Sequence, residues 1–373
     1  QAVLKACKKL DFKPDIIHCN DWHTGLIPVY LKTNNDPFFS QTKTLFSIHN
    51  LGYQGNYPHS RLAATGLSEL LFQPDGIEFY GQFSFLKGGL IFADTLTTVS
   101  PAYSKEIQTQ ELGFGMEGIL QKRSDHLHGI LNGVDDTVWN PETDPLISTH
   151  FGPETLSLKN KCREDLVRMF SLKIHKQTPI LCMITRLSEQ KGIDLVMQAQ
   201  DILNEWDVSL LVLGMGETRY ETFFRQWNKD RPDRIVASLK FDETLSHRIL
   251  AGSDMILMPS HYEPCGLTQM YALKYGTVPI VRDVGGLKNS VQEFSPTTGK
   301  GTGFKFKALK KEFFLKTLQK ALSCFNQPKI WENLMLNGMA KDNSWEFSAK
   351  QYSRLYQKSL HARNIEPAPP LTP

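Results

Sequence analysis

The sequence predicts an α/β protein with two doubly wound, Rossmann-like parallel-sheet domains that face each other across a cleft. Three observations carry that expectation. Short apolar strands alternate with amphipathic helices along most of the 373 residues, the pattern of βαβ units and of sheets covered on both faces. Polar and glycine-bearing clusters follow these strands, where open parallel sheets place their ligands. The alternation breaks once, near residues 130–135, ahead of the proline-punctuated Asn140-Pro141-Glu142-Thr143-Asp144-Pro145, as at a domain junction. The length suits two or three domains with real cores.

In chain order, Ala2, Val3, Leu4, Ala6 and Leu10 are spaced like the buried face of a helix. The strand Ile16-Ile17-His18 then leads to Asn20-Asp21-Trp22-His23 and a helix over 26–31. A second strand, 44–48, delivers His49-Asn50. The β-branched run 95–99 is followed by Ser100-Pro101, a helix start with Ser as cap and Pro in the first turn. In the second half, 179–184 leads to Thr185-Arg186-Leu187-Ser188-Glu189-Gln190-Lys191-Gly192 and a helix over 193–199. Strands at 209–213, 234–237, 255–258 and 277–281 follow, the third leading to Glu263-Pro264-Cys265-Gly266 and a helix to about 275. Gly299-Lys300-Gly301-Thr302-Gly303 reads as a turn ahead of Phe304-Lys305-Phe306. A helix is expected over about 347–363, and 366–373 is a Pro-rich tail expected to fray.

Composition narrows the function. Forty-two Lys+Arg against 39 Asp+Glu is nearly balanced, so no nucleic-acid or anionic-membrane partner is expected. No apolar run approaches the ~18 residues of a membrane helix. The six cysteines form no C-x-x-C pair and read as reduced thiols of a cytoplasmic compartment. No metal or cofactor site is read: His126 and His128 lack helix-face metal spacing, and Gly214-Met215-Gly216 lacks the third glycine of a dinucleotide fingerprint.

Arg186 and Lys191 share one strand-to-helix loop, two cations where a helix begins, which suits a pyrophosphate. They equally read as surface charges paired with Glu189 or Asp194. Gly266 lies where a strand's exit turns into a helix and lets bare N–H groups approach a phosphate. Glu263 just before it is placed to take hydrogen bonds from a sugar, or simply to favour the helix start. Cys265 reads as a small buried hydrophobe. His49 follows a strand and could face the cleft, although a lone His is more often structural. No D-x-D occurs, so positive charge and backbone dipoles would have to stabilise a leaving diphosphate.

Together, Asp21-Trp22-His23, Ile48-His49-Asn50-Leu51-Gly52-Tyr53-Gln54-Gly55, Leu86-Lys87-Gly88-Gly89, Thr97-Thr98-Val99-Ser100-Pro101, Ile130-Leu131-Asn132-Gly133-Val134-Asp135, Trp139-Asn140-Pro141, Thr185-Arg186-Leu187 with Gln190-Lys191-Gly192, and Glu263–Thr268 with Gln269 match one family in order and spacing. The chain resembles the bacterial glycogen synthases and plastid starch synthases over nearly all of residues 14–345. The resemblance implies the GT-B fold and a retaining transfer of glucose from ADP-glucose to the non-reducing end of an α-1,4-glucan. It implies that Arg186 and Lys191 stabilise the departing diphosphate and that Glu263 holds hydroxyls of the donor glucose. It further implies that Gly266, Leu267 and Thr268, with Cys265 among them, line the donor, that Asn132 lies near the nucleoside, and that His49 lines the reacting centre. Asp21, Trp22 and His23 fall on the acceptor side. The implied compartment is the cytoplasm, or a plastid in a plant or alga.

Two departures stand out. Phe241 occupies the position where the family commonly has a Tyr against the adenine, which keeps stacking and loses a hydroxyl. The family's N-terminal Lys-x-Gly-Gly-Leu loop is expected ahead of residue 1, because Lys87-Gly88-Gly89-Leu90 matches a later family segment. The chain is therefore read as N-terminally truncated: an incomplete acceptor-side domain over 1–131, a nucleotide-sugar domain over 132–346, and a C-terminal helix with tail over 347–373 returning toward the first. Tyr271 stands where related sugar-nucleotide transferases carry a second glutamate, which favours a glucan synthase. The alternative is an inactive fragment or glucan-binding remnant of such an enzyme.

Overall fold

In the computed structural model, residues 1–361 are described; the Pro-rich stretch 366–373 lies outside them. The chain divides into two compact units, one of residues 1–132 with the chain from Ser348 onward, the other Gly133–Phe347. Among the described residues no helix is long and apolar enough to cross a membrane.

The first unit holds β1 (Ile16–Asn20), β2 (Lys43–Ile48), β3 (Asn56–Pro58), β4 (Glu78–Phe79), β5 (Gln82–Ser84), β6 (Thr95–Thr98) and β7 (Leu127–Gly129). Four of them form a parallel sheet in the order β1-β2-β6-β7. Phe46, Ile48 and Leu96 bury one side of it against Leu86 and Leu90 of the helix Phe85–Phe92. Ser84 starts that helix by accepting the Lys87 N–H (3.2 Å). On the C-terminal helix Trp345–His361, the Ser348 hydroxyl donates to Leu131 O (2.6 Å), Leu355 packs with Leu45 and Ile130, and Tyr356 meets His18.

Two features of this unit differ from expectation. A small antiparallel sheet, β3-β5-β4, lies between β2 and the helix Phe85–Phe92 in sequence. Its strands of two or three residues are too short to show a period-2 pattern. The opening helix, Ala2–Lys9, has no buried residue, although its apolar spacing predicted a buried face. Leu4 and Cys7 reach the edge of the core, whereas Val3 is 50% and Leu10 76% exposed. Periodicity reports which residues share a face, not whether the described chain covers that face.

The second unit holds β8 (Ile180–Ile184), β9 (Ser209–Leu213), β10 (Ile235–Ser238), β11 (Met255–Met258), β12 (Val278–Arg282) and β13 (Phe304–Phe306). All six are parallel, in the order β10-β9-β8-β11-β12-β13. The strand order reverses between β8 and β11, the switch point at which such sheets open a crevice. Side chains alternate across the sheet. Leu181, Met183, Leu210 and Val212 pack with Tyr220, Phe224 and Trp227 of the helix Thr218–Asp230. On the opposite face, Ile180, Cys182, Leu211 and Leu213 pack with Leu166, Ile249 and Leu250. A buried lysine ties this face together: Lys159 Nζ donates to Ala251 O, Tyr275 O and Thr277 Oγ1, each at 2.9 Å.

Candidate active site

In the second unit, the loops leaving β8 and β11 meet at the switch point. Lys191 Nζ donates to Glu263 Oε2 at 2.6 Å, and the Ser260 hydroxyl donates to the same oxygen at 3.0 Å. Both partners are largely buried, with side chains 16% and 6% exposed. Lys191 therefore pairs with neither Glu189 nor Asp194; those two carboxylates lie 3.9 Å from the Arg219 guanidinium instead.

The two loops are also joined through their backbones. His261 N–H donates to Gln190 O (2.8 Å), and Gln190 Nε2 to Tyr262 O (3.3 Å). Gly192 ends the first loop in the left-handed region (φ +68°), and a Cβ there would lie 1.9 Å from Pro259 O. No other residue fits this crossing without moving one loop. The segment after β12 joins these loops through Gly286 N–H, at the start of the helix Gly285–Ser290, which donates to Glu263 O (2.9 Å). Glu263 is thus held at both its carboxylate and its carbonyl.

The remaining candidates of this unit differ in exposure and in partners. Arg186 is exposed in the β8 loop. Cys265 is buried, while Gly266, Leu267 and Thr268 are half-buried at the turn into the helix Thr268–Lys274. Phe241 is 84% exposed, just ahead of Asp242, whose carboxylate caps the next helix by accepting Leu245 N–H (2.8 Å). Tyr271 stacks on Trp139 (4.0 Å, 2°), and the other stacking partner of Trp139 is His247 (3.7 Å, 13°). His247 is anchored through Nδ1 to the buried Asp144 carboxylate (2.8 Å).

In the first unit, β1 and β2 bring Asn20, Asp21 and His49 together. His49 N–H donates to Asp21 Oδ1 (2.8 Å), and His49 Nε2 donates to Asn20 Oδ1 (2.9 Å), so backbone and ring are both fixed. Asp21 adopts φ 56°, ψ 177°, a region occupied almost only by glycine. Its own N–H donates to Ser47 O (2.9 Å), which helps hold that conformation. Trp22 is half-buried, stacked on His23 (3.9 Å, 27°) and pressed against Gly55, so His23 is the exposed ring of the pair. Beneath them, His18 bonds Tyr356 OH (2.8 Å) and Ser47 Oγ (2.7 Å). Burial, with a smaller contribution from His49, lowers its pKa to about 4. Asn132 is half-buried at the end of this stretch.

Sequence reasoning had no signal for Ser260 or for the joining of Asp144, His247 and Trp139. Each acts across a gap in sequence or through an ordinary residue type. Asn20, as the neighbour of Asp21-Trp22-His23, and Trp139, within Trp139-Asn140-Pro141, had a hint of a place in a site but not of their partners.

Comparison with known proteins closes the question of family. Residues 1–122 match the starch synthase catalytic domain family, and residues 167–333 match glycosyl transferases group 1. The glycogen synthase of Thermotoga maritima is 46% identical over 362 residues, 96% of this chain and 74% of that protein. That of Pseudothermotoga lettingae is 45% identical over 367 residues, 98% of this chain and 76% of its own length. The catalytic domain of starch synthase IV from Arabidopsis thaliana, solved with ADP and acarbose, matches with a TM-score of 0.91 and 34% identity, over 97% of this chain and 76% of that one. A sucrose-phosphate synthase from Thermosynechococcus elongatus, 18% identical with a TM-score of 0.60, shares the fold, over 96% of this chain and 76% of that one. The chain belongs to the glycogen synthase and starch synthase family of GT-B glycosyltransferases.

Proposed function

We propose that this protein transfers glucose from ADP-glucose to the 4-hydroxyl at the non-reducing end of an α-1,4-glucan, with retention at the anomeric carbon. The observation that carries the reading is the Lys191–Glu263 pair at the switch point of the second unit. A cation and a carboxylate held together in a largely buried place suit a ligand that is anionic at one end and rich in hydroxyls at the other. The diphosphate takes hydrogen bonds from Lys191 and Arg186, and Glu263 accepts from hydroxyls of the donor glucose. Charge develops on the leaving diphosphate as the glycosidic bond lengthens, and the two cations with the N–H groups of Gly266, Leu267 and Thr268 stabilise it there. Cys265 packs beneath that turn.

On the nucleoside side, Phe241 offers an exposed ring to the adenine, and Asn132 borders the nucleoside. His49 lines the reacting centre, its backbone carbonyl toward the electron-deficient sugar carbon. Asn20 and Asp21 keep it there by holding ring and N–H. Asp21, Trp22 and His23 border the acceptor glucan, with His23 as the accessible ring. Six free cysteines, five of them buried, suit a reducing compartment, and we place the enzyme in the cytoplasm.

The test is incorporation of labelled glucose from ADP-glucose into glycogen by the purified protein, with ADP affinity measured by calorimetry in parallel. Incorporation into α-1,4-linked chain ends is the expected result. Glycogen binding without transfer or ADP affinity would refute the enzyme reading and favour a glucan-binding protein.

A further inference from the structure

Beside the proposed donor site lies Gln269, a polar side chain with no exposed surface. Its amide nitrogen lies 3.2 Å from Cys265 O, 2.8 Å from Gly266 O and 2.8 Å from Ser290 Oγ. Its Oε1 is buried and has no donor among the described residues. The orientation of the amide is dictated by its neighbours. Turned over, Oε1 would face two carbonyl oxygens, and acceptors do not bond acceptors. A buried acceptor without a donor is costly and uncommon, so the amide nitrogen's bonds must outweigh that cost.

Those bonds act on the turn that precedes the helix Thr268–Lys274. Gly266 is left-handed there (φ +68°), and a Cβ on it would lie 2.4 Å from Gln269 Oε1 and 2.9 Å from Nε2. The amide therefore fills the inside of the turn. Ser290, which accepts from Gln269, donates to Gly286 O (2.6 Å), and Gly286 N–H donates to Glu263 O (2.9 Å). One closed chain of bonds thus runs from the Gly266 turn through Gln269, Ser290 and Gly286 back to Glu263.

We propose that Gln269 is a positioning residue for the donor's diphosphate: it draws the carbonyl oxygens of Cys265 and Gly266 inward, so that the turn presents N–H groups rather than carbonyls to the phosphates. The electrostatic reason is direct. A carbonyl oxygen facing a phosphate repels it, whereas an N–H attracts it, and a glycine turn is free to present either. Gln269 removes that freedom from beneath, without touching the ligand. The proposal rests on the donor-site reading above.

Gln269→Met keeps the length of the side chain and removes the donor; Gln269→Glu keeps the shape and sets a carboxylate against two carbonyls. Binding of ADP and of adenosine is measured by calorimetry and competition, and kinetics are measured with ADP-glucose and glycogen varied in turn. The expected result for Gln269→Met is an ADP Kd and a donor KM raised at least tenfold, with adenosine affinity and glycogen KM within twofold of the parent. Gln269→Glu should be worse; should it not fold, Gln269→Met decides. Equal weakening of ADP and adenosine, or an unchanged donor KM in the folded Gln269→Met protein, would overturn the proposal. A parent protein that binds no ADP would overturn the donor-site reading itself and the proposal with it.

Discussion

Breaking the Lys191–Glu263 pair tests the centre of the site, and its size can be worked from the structure. At 2.6 Å and an effective dielectric of about 20, the gross attraction is about 6 kcal/mol. Removing both groups from water offsets most of that. Side chains 16% and 6% exposed are too buried for the near-zero value of a surface pair, and a net coupling of about 2 kcal/mol follows. Lys191→Met leaves the Glu263 carboxylate with only the Ser260 hydroxyl at 3.0 Å and should destabilise the second unit by about 3 kcal/mol. Glu263→Gln keeps an oxygen for Lys191 and should cost about 1 kcal/mol. The double variant should cost about 2 kcal/mol less than the sum of the two. On the donor-site reading proposed above, Lys191→Met also removes a cation from the leaving diphosphate, so kcat/KM for ADP-glucose should fall by about 30- to 1000-fold, or 2–4 kcal/mol. Urea unfolding of the four proteins, with initial rates of glucose incorporation, provides both readouts. Unfolding costs that add to within about 0.5 kcal/mol would show that the contact carries no energy. Unchanged kcat/KM in folded Lys191→Met would remove Lys191 from the mechanism.

Three further outcomes follow from other parts of the molecule. His18 has a folded pKa of about 4 against 6.5 unfolded, so the unfolded chain takes up the proton first. Its contribution is therefore complete above about pH 6.5 and is lost as the pH falls toward 4; discounted for its partial exposure it amounts to about 2 kcal/mol. The melting temperature of the first unit should drop across that window, and His18→Phe should flatten the drop. Lys159→Met leaves four buried acceptors without their ammonium and should cost about 3 kcal/mol in urea unfolding. Gly192→Ala drives a Cβ to 1.9 Å from Pro259 O, so it should cost about 3 kcal/mol or more and lower kcat/KM as the loops separate. Gly118→Ala, in an open helical position with nothing within 4 Å, is the matched control and should be neutral or slightly stabilising.

Much of the scaffold is legible in the chain itself. The runs expected at 209–213 and 255–258 are β9 and β11 with the same bounds, because consecutive buried apolar residues mark a strand covered on both sides. Ser100-Pro101 begins a helix as its chemistry requires, with the Ser100 hydroxyl accepting Tyr103 N–H (3.1 Å). The two- and three-residue strands of the antiparallel sheet left no such trace. The first helix showed a clear apolar stripe and still buried it only in part, at Leu4 and Cys7.

Lys191 and Glu263 show where local reading stops. Each is recognisable as a residue of the right type in a strand-end loop. Their spacing of 72 residues leaves equally open whether Lys191 meets Glu263 or its close neighbours Glu189 and Asp194. The strand order decides it, because β8 and β11 lie side by side where the order in which strands are added reverses. The same holds for Asn20 and His49, joined by the parallel register of β1 and β2, and for Gln269, whose role depends on which way an amide faces under a turn. Residue types, strand ends and family motifs are properties of the chain and can be read from it. Which charges neutralise one another, and which backbone groups are turned toward a ligand, depend on long-range pairing, because those energies act through a few ångströms of space and not along the sequence.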